Sequence, residues 1–355
     1  MIDQEMNRAV TVQRDHIGLV TESMPVPNDH EVRVTMRRTG VCGSDTHAAA
    51  GHHPFVPLPY RPGHEVVGVI SQLGARVEKW RIGDRVTVEP PLPCAAQRAI
   101  DPTLTFDDCK PCRTGRSNLC ERLVFFGCGH TQGGMADEFT APADRLYAIP
   151  DALDDDQAAL IEPLSTPVHA VRLAGVQDAT VAILGCGTIG LLVMAAARHA
   201  GARTIVMTDP LAEKRERAKR LGADHVLEPG PDVAVNVRAF LGESADVVFD
   251  CVAIQATVTS AVEMALKGGT VVIVGVPTGP VEVPLPIIQD QQVRIQGSAT
   301  YLREDYDEAT EILLAGKVSP DDVITGRYPI EQAAQAFAAA SSGQHVKVLI
   351  TATRS

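Results

Sequence analysis

Two groups of side chains in this 355-residue chain could chelate a metal. One is split between Gly40-Val-Cys-Gly-Ser-Asp-Thr-His47 and Pro62-Gly-His-Glu-Val66. Cys42 and His64 offer a thiolate and an imidazole, donors that suit zinc. Glu65, directly after His64, adds a carboxylate able to ligate or to reposition as ligands exchange. Either residue alone reads as a buried apolar thiol or a satisfied loop histidine. Together, at strand ends, with Asp45 three residues from Cys42, they point to metal. The other group is Cys94, Cys109, Cys112 and Cys120. Cys109-Lys-Pro-Cys112 has chelating spacing, and four thiolates make a closed, tetrahedral structural zinc site. Eight cysteines in a large chain with no secretory signal argue for metal or catalysis rather than disulfides.

A third stretch addresses a dinucleotide. Val181-Ala-Ile-Leu runs into Gly185, Gly187 and Gly190, which with Thr188 and Ile189 between them form the expected cofactor-binding loop, and an apolar helical run over 191–200 follows. Gly185 permits a tight turn, Gly187 lets backbone N–H groups approach a pyrophosphate, and Gly190 lets helix pack on strand. The helix N-terminus favours the phosphates' negative charge. A second apolar strand, Thr204-Ile-Val-Met-Thr208, ends in Asp209, at the offset of roughly 20 residues expected for a carboxylate gripping ribose hydroxyls. Such a carboxylate repels a 2′-phosphate, so NAD is expected rather than NADP. Lys214 and Arg215 could counter it, and are expected on the exposed face of the next helix beside Glu213 and Glu216.

Each group needs a scaffold. Residues 1–150 read as many short strands, with alternation over 31–36, 66–70 and 85–88 and dense Pro and Gly between them. Residues 151–156 form an acidic, exposed joint, and from Gln157 the pattern becomes helical. Beyond Thr180 strands are predicted over 180–184, 204–208, 224–227, 246–250, 270–275 and 292–296, with helices between, as at 211–221 and 255–267. Six parallel strands with helical crossovers make a doubly wound α/β sheet. Helical patterns over 301–316 and 331–340 and a closing strand over 346–350 finish the chain. A net charge of −12 argues against nucleic acid or an anionic membrane as partner. The apolar run 181–197 is interrupted by glycines and reads as buried core rather than a membrane span. Asp3, Glu5, Arg8, Arg14 and Asp15 leave no secretory apolar region in the first twenty residues, so a cytoplasmic protein is expected.

The Gly-Val-Cys-Gly-Ser-Asp-x-His motif, Gly-His-Glu and the glycine loop, in this order and spacing, resemble the zinc-dependent medium-chain dehydrogenase/reductase family. The resemblance covers essentially the whole chain and is strongest to the sorbitol, butanediol and threonine dehydrogenase branch. It implies a mainly-β, GroES-like catalytic domain (1–150), a Rossmann NAD-binding domain (151–294) and a segment returning to the catalytic domain (295–355). It further implies that Glu162, in Glu162-Pro-Leu-Ser, joins Cys42, His64 and Glu65 at a catalytic zinc, as ligand or as holder of its water. Ser44 and His47 match a proton relay, since an imidazole titrates near ~6.5 in water, and Asp45 fits a role orienting a zinc ligand. The family's first two structural cysteines lie two residues apart; here residues 95–108 separate Cys94 from Cys109, an insertion expected on the surface with Asp101-Pro102 and Asp107-Asp108 in exposed turns.

The activity implied is hydride transfer between a secondary alcohol, diol or polyol, modified cyclic polyols included, and NAD. The zinc would lower the hydroxyl pKa toward neutrality. Two polyol contacts of sorbitol-type enzymes are missing, with Thr300 in place of an arginine before Tyr301 and Ala48 in place of a tyrosine, which speaks against sorbitol itself. Cys128 is read as lining the substrate cleft, Cys186 and Cys251 as non-catalytic thiols, and His52, His53 and His130 as loop histidines. A non-catalytic or regulatory NAD-binding protein on this fold would have lost zinc ligands or relay, and none is lost. An intact Cys42 and His64 likewise oppose a zinc-free reductase. A homo-oligomer, tetramer or dimer, is expected from the family's bacterial members.

Overall fold

A computed structural model describes residues 6–129 and 132–353, so the expectation for His130 lies outside the described residues. The chain divides into two compact units, Met1–Glu162 with Ser319–Ser355, and Pro163–Val318.

The first unit is organised by the strand Glu31–Val41. Val32, Val34 and Met36 are fully buried while Glu31, Arg33 and Thr35 are half-buried, the two-residue period of a strand with one face on a core. Val66–Leu73 pairs antiparallel along one side of it. Along the other side Glu138–Pro142 covers its first half and Lys347–Thr351 its second. With Arg85–Val88, Leu146–Ala148 and Ile324–Pro329 this makes a seven-stranded sheet. Ile330, Phe337, Val348 and Ile350 share one core with Val34, Ile70 and Val86, so the return is built into the unit's centre. A separate hairpin, Asn7–Gln13 with His16–Glu22, is tied on where Val12 and Tyr60 exchange backbone hydrogen bonds of 3.0 and 3.1 Å.

The acidic joint is less exposed than its composition suggests. Asp154 caps the short helix Asp155–Ala158, Asp155 meets Arg85 at 2.7 Å, and Asp156 lies between Arg38 (2.7 Å) and Arg327 (2.8 Å). Burial alone would raise the pKa of Asp156, but the two guanidiniums outweigh it and hold the carboxyl below its usual range.

The second unit carries six parallel strands in the order His225–Leu227, Thr204–Thr208, Thr180–Leu184, Ala245–Asp250, Ala265–Ile273 and Arg294–Gly297. Thr180–Leu184 is buried throughout, as a parallel strand covered on both faces must be. The strand order reverses between it and Ala245–Asp250, and the carboxyl ends at such a reversal are where open α/β sheets bind ligands. The helix predicted over 255–267 stops at Met264, where Ala265 turns to φ −67°, ψ 142° and opens the next strand. Residues 295–318 stay in this unit, because Arg294–Gly297 is its sixth strand and His169 bonds Asp305 at 2.9 Å on the following helix. The chain rejoins the first unit only at Ser319. Among the described residues no helix is long and apolar enough to cross a membrane.

Gly185 adopts φ +98°, and a Cβ on Gly190 would lie 1.9 Å from its carbonyl oxygen. Gly190→Ala is therefore expected to destabilise the protein. The helix propensity gained, about 1 kcal/mol, is outweighed by an overlap with backbone that costs on the order of 3 kcal/mol. Thermal denaturation should show Tm lowered by several degrees; an unchanged or raised Tm contradicts the packing described.

Candidate functional site

The antiparallel register around Glu31–Val41 assembles the first site. The strand delivers Cys42 one residue past its end, and the helix Gly43–Ala49 starts there. Val66 pairs with Thr39, so His64 and Glu65 arrive beside Gly40 and Val41. The Gly40 N–H donates to the Glu65 carbonyl at 2.8 Å. A Cβ on Gly40 would sit 1.7 Å from Glu65 Oε2, so this glycine is what leaves room for the carboxylate. Ligand atoms of Cys42, His64 and Glu65 come within 4.8 Å of one another. Glu162, in the first turn of the helix Ile161–Ala174, is buried and electrostatically coupled to His64, yet falls outside that closest group.

Asp45 is fully buried and organises both ligands. Its Oδ2 accepts the Cys42 N–H at 3.0 Å, and its Oδ1 accepts the Tyr60 hydroxyl at 2.8 Å and lies 3.9 Å from His64 Nδ1. His64 Nδ1 also faces the Gly127 carbonyl at 3.4 Å, while Phe125 meets the ring edge-on at 5.8 Å. With Nδ1 so engaged, Nε2 is the nitrogen His64 can offer a metal. Burial opposes charge on this imidazole, but Asp45, Cys42 and Glu162 outweigh it and hold its pKa well above the ordinary range. Burial likewise pushes the Asp45 carboxyl up. So much negative charge around one buried imidazole is what a divalent cation relieves, and the thiolate, imidazole and carboxylate donors suit zinc.

Sequence reasoning missed Lys347. Its Nζ lies 2.6 Å from both Glu65 oxygens, and both side chains are almost fully buried. The signal was one cation in the otherwise apolar closing strand, Val346-Lys-Val-Leu-Ile350. Tyr60 carried no comparable signal.

Ser44 is half-buried beside the thiol of Cys128, whose pKa burial raises to about 12. His47 is exposed on the same helix as Ser44. His53 stacks edge-on against the exposed Phe55 at 6.2 Å.

The second cysteine group assembles in spite of its insertion. The four sulfurs of Cys94, Cys109, Cys112 and Cys120 lie within 4.8 Å of one another, and none forms a disulfide. Cys120 Sγ is 3.5 Å from Cys94 and 3.8 Å from Cys109. A tetrahedron of Zn–S bonds of ~2.3 Å has edges of ~3.8 Å, so the quartet fits zinc. The Glu121 and Arg122 N–H groups donate to Cys109 and Cys120 sulfurs at 3.4 Å. Donation from the Cys112 and Glu121 backbone draws the Cys109 thiol down to about 7. The insertion is only partly a surface excursion. Asp101, Pro102 and Asp107 are exposed, but residues 94–100 are helical, Phe106 packs on the sulfurs, and Arg98 pairs with Asp108 at 2.7 Å.

In the second unit Gly187 caps the helix Thr188–His199, which opens on Thr188, Ile189 and Gly190. Asp209 is buried, its Oδ2 accepting Cys186 N–H and its Oδ1 Leu211 N–H, each at 2.9 Å. The carboxylate is thereby aimed at the glycine loop. Arg215 is not on an exposed face as expected. Its Nη1 donates to the Asp209 and Pro210 carbonyls at 2.7 and 2.9 Å, and its Nη2 lies 3.3 Å from Glu228. Lys214 is half-buried, and both cations act on the Cys186 thiol. Unsatisfied carbonyls at the turn drew the guanidinium inward. Burial raises the pKa of Cys186 and Cys251, in keeping with unreactive thiols.

Residues 28–151 match the alcohol dehydrogenase GroES-like domain and residues 188–315 the zinc-binding dehydrogenase family. D-xylulose reductase A of Aspergillus oryzae is 33% identical over 343 residues, covering 93% of this chain and 92% of the relative. Among solved structures, a zinc-binding dehydrogenase of Sinorhizobium meliloti 1021 bound to NADP superposes with TM-score 0.88 at 31% identity, covering 98% and 100% of the two chains. The 2R,3R-butanediol dehydrogenase of Bacillus subtilis does so with TM-score 0.87 at 26% identity, covering 97% and 99%.

Lys347→Met leaves the Glu65 carboxylate buried and unpaired, which costs about 3–5 kcal/mol. Urea denaturation of the metal-depleted protein should show that loss, and Glu65→Gln in the same chain should restore most of it. Equal stability of Lys347→Met and wild type would show that the pair carries no such weight.

Proposed function

Because this chain belongs to the zinc-dependent medium-chain alcohol dehydrogenase family, we propose that it oxidises a secondary hydroxyl of a polyol or diol, or reduces the corresponding ketone, with NAD as its coenzyme. The observation that carries this reading is the convergence of Cys42, His64 and Glu65 ligand atoms within 4.8 Å, two of them oriented by one buried aspartate.

When bound, zinc would supply Lewis acidity and the nicotinamide coenzyme a hydride acceptor. The chain's own groups do the rest. Cys42 and His64 hold the metal, with Glu65 and Glu162 as the carboxylates within reach of that role. Asp45 fixes the Cys42 turn through a hydrogen bond and acts on His64 through its charge. The Ser44 hydroxyl accepts the proton of the substrate hydroxyl as it passes its own on toward His47, which is exposed and releases a proton to solvent. Such a relay contributes a factor of about 10²–10⁴. The turn from Gly185 to Gly190, with Thr188 and Ile189, presents backbone N–H groups to the pyrophosphate. Asp209 receives the ribose hydroxyls. The carboxylate aimed at the loop favours NAD, and Arg215, engaged by the Asp209 and Pro210 carbonyls, is drawn away from the service a 2′-phosphate would ask of it. The Aspergillus and Bacillus relatives act, by their names, on a ketopentose and a diol, which supports a polyol or diol here. Thr300 and Ala48 remove two contacts that sorbitol-type enzymes make, so the substrate is set apart from sorbitol.

Metal analysis should find two zinc ions per chain, and NAD reduction should appear with a panel of diols, pentitols and cyclic polyols, exceeding NADP reduction. Cys42→Ser or His64→Ala should abolish turnover while coenzyme binding, read by nicotinamide fluorescence, changes little. Undiminished turnover in either variant refutes the assignment, and preference for NADP refutes the coenzyme.

A further inference from the structure

We propose that Tyr60 is a positioning residue of the catalytic metal centre, acting through Asp45 on both Cys42 and His64. The inference rests on the metal reading of that site given above. The Tyr60 hydroxyl is spent on Asp45, to which it donates at 2.8 Å. What it does is complete the hydrogen bonding of the one carboxylate both ligands share.

Asp45 is fully buried, and its two oxygens divide the work. Oδ2 is taken by the Cys42 N–H at 3.0 Å, which sets the turn that presents the thiolate. Oδ1 faces His64 Nδ1 from 3.9 Å, too long for a hydrogen bond, and accepts a short one, 2.8 Å, from the Tyr60 hydroxyl. The phenol therefore determines which way the carboxylate plane turns, and with it the side on which His64 feels the negative charge. Without that donor, Oδ1 would be a buried anionic oxygen with no partner at hydrogen-bond distance, near the like charge of Glu65. Leaving a buried charged acceptor unpaired is costly, and the carboxylate would rotate toward another donor, pulling on Cys42, on His64 or on both.

Tyr60 is suited to the task because it is itself immobile. It is 4% exposed, and its backbone N–H and carbonyl both bond Val12. The hairpin strand Asn7–Gln13 thus braces the phenol from outside the sheet that carries the ligands. Partners that orient metal ligands typically change metal affinity by roughly 10–100-fold when removed.

Tyr60→Phe keeps the ring and deletes only the hydroxyl. Zinc release from the purified protein to a chromophoric chelator should resolve two classes of ion. Cys42→Ser, retaining only the four-cysteine zinc, identifies the class that belongs to Cys42 and His64. In Tyr60→Phe that class should bind about 10–100-fold more weakly, with the four-cysteine class unchanged. In Asp45→Ala the phenol has no acceptor left to orient, so adding Tyr60→Phe to Asp45→Ala should weaken the metal no further. Cobalt substituted at the site should show altered ligand-field bands in Tyr60→Phe. Release curves that superimpose on wild type overturn the proposal. Independent, additive effects of the two substitutions overturn it too, because they make Tyr60 a packing residue. A wild-type protein holding only the four-cysteine zinc overturns the metal reading itself, a failure distinct from the other two.

Discussion

Negative charge collected in a dry place is the condition the first unit must satisfy. Cys42, Asp45, Glu65 and Glu162 all act on one another or on His64, and three of them are buried acids. Water cannot screen them, so the protein supplies compensation from within. Lys347 neutralises Glu65 from the last strand, the Cys42 amide and the Tyr60 phenol serve Asp45, and a divalent cation completes the balance. Much of the architecture follows. The central strand must end at Cys42, a glycine must precede it so that Glu65 fits, and the C-terminal segment must come back to bring its lysine.

The second unit meets the opposite demand, since it has to receive the negative charge of a pyrophosphate. It does so with backbone rather than side chains. A buried strand ends in a turn so tight that a Cβ at Gly190 would strike Gly185, and the helix begins there with its N–H groups unspent on side-chain caps. One carboxylate, Asp209, is held against this turn by two amide donors. The two units thus solve different electrostatic problems, one with a closed set of compensating side chains and the other with open backbone dipoles.

The four-cysteine lobe illustrates how much a fold tolerates between fixed points. Fourteen residues intervene between Cys94 and Cys109, yet the sulfurs converge because Cys94 stands at the start of a short helix and Phe106 folds back over the cluster. Flexible-loop closure entropy grows only slowly with length, so an insertion is tolerated provided its ends still meet. The arginines stacked on Phe106, Arg98 at 5.8 Å and Arg122 at 4.9 Å, help to tie it down.

From the sequence alone the strand–glycine–helix unit, the six parallel strands, the alternating strands of the first unit and the chemistry of the metal-binding residues were legible, because each is written in local periodicity or residue type. The tertiary structure decided what depends on register and on partners distant in sequence. Lys347 reaches Glu65 across 282 positions because both flank the same stretch of one strand. Tyr60 reaches Asp45 because the loop before His64 is pinned to the first hairpin. Arg215 turned inward, where helical periodicity placed it outward, because unsatisfied turn carbonyls lay within its reach. Periodicity reports which face of an element is apolar; it carries no information about which polar group on another element will lie opposite, and that is set only when the sheet closes.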